Sequence, residues 1–454
     1  MNKQQNKFGS WLKTSITARM LMVGLLIIIL LIPLSYIKSL INERAKRQES
    51  VVNEINAKWG NEVLLYGPIL KIPYKTYTEK LITNNATKKV SKETIEHLNY
   101  AYFFPNDLNI KSEINPEVKK RGIYKTSVYK SNLQINGNFS KPNFKLNETQ
   151  DSDILWEKAT VIIKTSNLKG INNQVEIQIN NNDYKFVPKY EEQLTKNYNN
   201  SLSLHKLETS YIKKDDLQHK QHKTFNINIT VSGSKQFTII PIGKETNLNV
   251  LSNWKTANFI GEFLPLNSNK ITENGFDAKW KVLHINRPFS QEYFKLLPNL
   301  NEYAFGVNFM IPVDEYQKSE RSAKYGFLVI ALTFLVFFLI QSISKISIHP
   351  FQYLMIGLAL TMFYTLLISI SEHSNFLKAY LIASFSVITL ITIYSKSILK
   401  TNKFPIFICI SLAALYTFIY VIIQLENYAL LVGSIGLFTI LAIVMYISRK
   451  IDWN

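Results

Sequence analysis

Two short polar turns hold the side chains best suited to chemistry. Ser371-Glu372-His373-Ser374-Asn375 sets a carboxylate beside an imidazole, and Gln424-Leu425-Glu426-Asn427-Tyr428 sets an amide two residues before a second carboxylate. A carboxylate next to histidine can relay protons, because histidine titrates near neutral pH. Against this, adjacent residues on a helix point about 100° apart, and polar residues belong in a turn between apolar runs anyway. Glu372, His373, Gln424 and Glu426 are the candidates for a polar contact, weighed against the plainer reading of two interfacial turns. His219 and His222 form the close histidine pair. A metal site needs several converging, supported ligands, and with no cysteine or third ligand near them they read as a solvated basic loop. The sequence contains no phosphate-cradling Gly-x-x-x-x-Gly-Lys-Ser/Thr, no Gly-x-Ser-x-Gly and no His-Glu-x-x-His. The expectation is a protein that is not an enzyme and needs no metal or cofactor.

The elements that must position these turns are apolar. Leu21–Tyr36, Tyr325–Ile340, Phe351–Ile370, Phe376–Tyr394, Phe404–Ile423 and Tyr428–Ile447 each approach the roughly 20 residues that cross about 30 Å of hydrocarbon. Were Phe404–Ile447 one helix it would be far too long for that depth, so the break around Glu426 makes two spans, six in all. The first span follows Lys3, Lys7, Lys13 and Arg19 without a small-x-small cleavage site, and reads as an uncleaved anchor. Basic residues in the short segments (Lys345, Lys396, Lys400, Lys403, Arg449 and Lys450) fall on the side of the basic N-terminus, while the SEHSN and QLENY turns carry acid. By the positive-inside rule both ends are cytoplasmic and the middle of the chain lies outside.

Ile41, Ala45, Val52, Ile55 and Trp59 recur at mostly helical spacing after the first span, with Gly60 as a stop. Before the second span, Pro312 can start a helix with Val313, Tyr316, Ala323 and Phe327 on one stripe. Two stalks would thus flank the outer domain, making Trp59, Asp314, Tyr316, Glu320 and Arg321 candidates for coupling it to the membrane helices. Between them EVLLYGPILKIPY, TFNINITVSG, KQFTIIPIG, GFDAKWKVLHI and YAFGVNFMIPV alternate with period two, which predicts a large β-rich, antiparallel sandwich-like domain. The plan is residues 1–40 as N-terminus and first anchor, 41–60 as stalk, 61–311 as β-rich domain, 312–324 as second stalk and 325–454 as a five-helix region.

The 454-residue chain is 46% hydrophobic with a formal net charge of +19. For a membrane-anchored outer domain the nearer polyanions are lipid headgroups and envelope polymers, so nucleic acid is not expected as a partner. The single cysteine, Cys409, lies in a span, and the outer domain must be held by burial rather than disulfides.

The runs VDEYQKSERSAKYGFLVIALTFLVFFL, IHPFQYLMIGLAL, FYTLLISISEH, FLKAYLIAS, YVIIQLENYALLVGSIGLF and VMYISRKIDW, with WGNEVLLYGPILKIPY, SNWKTANFIGEFLP and GFDAKWKVLHINR further upstream, give the chain a clear likeness. It resembles the CreD family of bacterial inner-membrane proteins, also called cell envelope integrity proteins. Trp254-Lys-Thr-Ala-Asn-Phe259 departs from the family's usual Trp-Pro-His-Pro-Ser-Phe, and Gln341 lies near a usual Glu, so no role for those side chains is carried over. The resemblance implies a role in maintaining the envelope of a Gram-negative bacterium, in a family linked to a two-component response, and supplies no catalytic residues. The leading expectation is a non-enzymatic inner-membrane protein whose periplasmic domain senses or binds an envelope component, with the lipid bilayer and an anionic envelope polymer or envelope protein as partners. The alternative is a transporter or lipid-handling component with a path through the C-terminal helices, lined by Tyr364, Tyr416 or Gln424. Oligomeric state is left open.

Overall fold

A computed structural model describes residues 16–83, 90–145, 149–190, 203–218, 223–309, 315–344, 346–399, 402–425 and 428–449. Six helices are long and apolar enough to cross a membrane, and a large β-rich unit is inserted between the first and the rest. The compact units are Met1–Glu49 with Val313–Asn454, and Ser50–Pro312.

Helix α1, Ile16–Trp59, runs for 44 residues, or about 66 Å at 1.5 Å per residue, some twice the hydrocarbon depth. Its charged second half, from Glu43 onward, therefore cannot lie in lipid. Gly60 at φ +100° ends it, and the Asn61 amide donates to the Asn56 carbonyl at 2.8 Å in a Schellman-type cap. Its last turns belong to the β unit. Thr126 donates to Asn56 at 2.9 Å, Lys235 to Asn53 at 3.1 Å, Lys169 to the Ala57 carbonyl at 3.1 Å, and Lys119 lies 5.0 Å over the Trp59 ring.

The helical unit continues through α2 (Glu315–Lys324), α3 (Gly326–Ser344), α4 (Pro350–Ser371), α5 (Phe376–Leu399), α6 (Lys403–Gln424) and α7 (Ala429–Ser448). Tyr316, Ser319, Ser322 and Ala323 make a buried face on α2 at helical spacing. Phe327, expected on the same stripe, is 51% exposed because the helix breaks at Tyr325. α1 packs closely where glycine admits it: an added β-carbon at Gly326 would lie 2.7 Å from Leu34, and at Gly357 it would collide with Leu30. Gln341 is 2% exposed, and the Tyr353 hydroxyl donates to it at 2.8 Å. In hydrocarbon an amide without a partner is costly, so this bond fixes α3 against α4.

The β unit is one mixed ladder of sixteen strands among the described residues. The strands that frame the sites are β1 (Val63–Thr83), β2 (Val90–Phe103), β3 (Asp107–Arg121), β4 (Tyr124–Phe139), β5 (Lys223–Ser234), β6 (Gln236–Ile239), β7 (Glu245–Ser252), β8 (Gly275–Leu283) and β9 (Glu292–Phe294). Most pairs are antiparallel, but β1 runs parallel to β6 and β3 parallel to β7. Period two sets the core: on β3 Leu108, Ile110, Ser112 and Ile114 are buried while Lys111 and Glu113 are exposed. Edge-on aromatic contacts join Tyr74, Phe103, Phe144 and Phe294, and a second group joins Phe259, Trp280 and Phe305.

One charged network is buried in this unit. Lys71 Nζ donates to Glu208 Oε1 at 2.9 Å, the Thr160 hydroxyl to the same oxygen at 2.8 Å, and Lys206 Nζ lies 3.5 Å from Oε2. Burial pushes the Glu208 carboxyl up, but bonds and charge from Lys71, Thr160 and Lys206 outweigh it and hold it below the usual range.

Candidate functional site

The polar turn after α4 draws in the membrane-side helices. Glu372 caps α4 at the end where the helix dipole is negative, a position that disfavours a carboxylate unless cations or donors answer it. Both are supplied: the Tyr316 hydroxyl on α2 donates to Glu372 Oε1 at 3.1 Å, and Arg44 Nε on α1 lies 3.7 Å away. Three segments distant in sequence thus meet on one carboxylate. The Arg44 side chain is 47% exposed, so the pair is worth about 1 kcal/mol or less.

The other sequence candidates do not gather there. His373 is exposed. Gln424 is exposed and donates to the Tyr420 hydroxyl on its own helix at 2.9 Å. Glu320 pairs with Lys324 one turn on at 3.2 Å, Arg321 is half-buried on α2, and Trp59 lies in the β unit against Lys119. Glu426, Asp314 and the His219–His222 loop lie outside the described residues. Tyr364 and Tyr416 are buried against Phe363, with ring centroids 4.9 and 4.6 Å away. Neither they nor Gln424 lines the large cleft of the helical unit, which lies between α3, α6 and α7.

The β unit holds a pocket of about 410 Å³ that sequence reasoning missed. Five stretches frame it: the end of β2 (Phe103, Phe104), the segment after β4 (Ser140, Lys141, Pro142), Lys244 before β7, His284 after β8, and Phe289 to Glu292 leading into β9. Phe103 and Phe104 are buried, whereas Lys141, Lys244 and His284 are exposed. Among the described residues neither Lys141 nor Lys244 makes an ion pair. Glu292 is the pocket's carboxylate; its Oε2 is buried without a partner and burial pushes its pKa up.

The wall behind the pocket is built from backbone. Arg287, 5% exposed, donates to the carbonyls of Phe289 at 2.9 Å and of Ile242 and Gly243 at 3.2 Å, bonds Gln291, and stacks 4.1 Å from the Phe289 ring centroid. Gln291 in turn donates to the Pro105 carbonyl at 2.7 Å and to Ile242 at 3.1 Å. The guanidinium thereby ties three loops together. Burial lowers its pKa to about 10, so it stays charged at neutral pH. Two lysines and a histidine over an aromatic floor suit a ligand with an anionic group and an apolar or sugar face. Among the described residues no cluster of His, Cys, Asp and Glu is arranged to hold a metal ion.

The family model described as Inner membrane protein CreD matches residues 15–454. Inner membrane protein CreD of Escherichia coli (strain K12) is 29% identical over 430 residues, covering 94% of this chain and 91% of that protein.

Proposed function

The chain belongs to the CreD family of inner membrane proteins, and from that premise we propose that it is a non-enzymatic protein supporting the integrity of the cell envelope, with its β unit in the periplasm. There the pocket beside Lys141 and Lys244 takes an anionic group of an envelope component, such as the carboxylate or phosphate of a saccharide polymer. The observation that carries the reading is the pairing of two lysines without ion-pair partners among the described residues with a buried aromatic floor in the same pocket. The charge pattern supports the orientation, since Lys396, Lys403 and Arg449 all stand at helix ends on the side assigned to the cytoplasm.

Reversing both charges tests it. Lys141→Glu with Lys244→Glu is expected to lower envelope-stress tolerance to that of cells lacking the protein, at equal expression. Both side chains are exposed, so the fold should be unaffected. Undiminished tolerance in the double variant would reject the pocket as the working site.

A further inference from the structure

Helix α7 is held loosely. None of its residues is buried, and it packs against α6. Between α3, α6 and α7 this leaves a cleft of about 740 Å³, lined almost wholly by apolar side chains and bounded at one end by Lys403. Along α6 the lining runs from Lys403 to Phe418, about 22 Å at 1.5 Å per residue. That exceeds half of the roughly 30 Å hydrocarbon depth.

Two arguments choose the occupant. The lining is almost wholly apolar along that length, which suits an extended hydrocarbon chain. At the mouth the charge is positive: Lys403 opens α6 and Arg449 follows the end of α7, on the same side as the closing residue of the α3 lining, Ile343. Polar atoms are few further in. Thr333, 3% exposed, lines the cleft with its hydroxyl unpartnered, whereas Thr392, Thr417 and Thr439 on the other helices bond back to their own helix carbonyls. We propose that this cleft is a binding site for one anionic phospholipid, its acyl chain lying between α3, α6 and α7 and its phosphate at Lys403. The leaflet rests on the orientation proposed above and is cytoplasmic; the site itself does not depend on that orientation or on the β-unit pocket.

The test is native mass spectrometry of the full chain, released from detergent after incubation with dioleoyl phosphatidylglycerol or dioleoyl phosphatidylcholine. Wild type should retain one phosphatidylglycerol per chain with at least a tenfold preference. Ala414→Trp, which fills the cleft, should abolish retention, and Lys403→Glu should remove the preference while leaving residual binding of both lipids. Leu381→Trp places the same bulk on an exposed face of α5 outside the cleft and should change nothing. Equal retention of both lipids by wild type, unchanged retention in Ala414→Trp, displacement by inorganic phosphate alone, or a dimer that excludes lipid would each overturn the assignment. Loss of retention in Leu381→Trp as well as Ala414→Trp would also overturn it, since bulk anywhere on the bundle would then suffice.

Discussion

Glu208→Ala is expected to destabilise the β unit by roughly 3–5 kcal/mol, the range for removing one partner of a buried ion pair. The loss is large because the side chains of Lys71 and Lys206 are only 13% and 10% exposed, so both cations would lose the Glu208 carboxylate in a largely buried site. Hydrogen exchange is the suitable readout in a chain of two units, since it reports locally. Protection in the strands Thr160–Thr165 and His205–Thr209, which pair with one another, should fall on the order of a hundredfold or more. The sign of the pH dependence follows from the depressed carboxyl. A carboxyl whose folded-state pKa lies below its unfolded value contributes stability that is present above the unfolded value and lost as pH falls through the folded one. Wild type should therefore lose protection in these strands on acidification, and Glu208→Gln should be weaker at neutral pH and show a flatter acid limb. Protection in Glu208→Ala equal to wild type would mean that the network is not a stabilising element.

Arg287→Ala should be nearly as damaging, at about 3 kcal/mol or more, for a different reason. It removes no ion pair; it takes away the guanidinium's bonds to the carbonyls of Phe289 and Gly243 and leaves the Ile242 carbonyl to Gln291 alone. Lysine cannot answer three separated carbonyls from one ammonium, so Arg287→Lys should rescue little. Because the folded-state pKa is lowered to about 10, the desolvation penalty on the charged form is present throughout the range below that value. It is relieved only as pH rises above it, so the effect of the substitution should not change between roughly pH 5 and 9. Thermal unfolding at two pH values within that window checks both points. The same variant should weaken ligand capture, because Phe289 and Gln291 line the pocket and are held by Arg287.

Sequence carried the parts of this fold that depend on local period and polarity. The apolar runs show the six helices because hydrocarbon depth imposes their length, and the break at Gln424 is visible because α6 ends there. The alternation in β5 and β8 shows strands, yet in β5 it also puts Lys223 at an inward position where it is fully buried, a placement that polarity alone would reverse. Gln341 is buried, and its partner Tyr353 lies on the next helix across a turn, which the local pattern does not show. Glu372 was legible as a candidate, whereas its neighbour Arg44 was not, since only tertiary packing brings α1 to it. The pocket was invisible for the same reason. Lys141, Lys244, His284 and Glu292 come from loops and strand ends with no mutual spacing, and each alone reads as a solvated surface residue.

The ligand proposed for the β unit and the leaflet of the proposed lipid both depend on which side of the membrane each unit faces. In a Cys409→Ser background, Lys141→Cys at the pocket mouth and Asn402→Cys before α6 can be labelled in intact cells with a membrane-impermeant maleimide that enters the periplasm. We expect Lys141→Cys to be labelled at once and Asn402→Cys to react only after the inner membrane is opened. Immediate labelling of Asn402→Cys together with protection of Lys141→Cys would contradict the account.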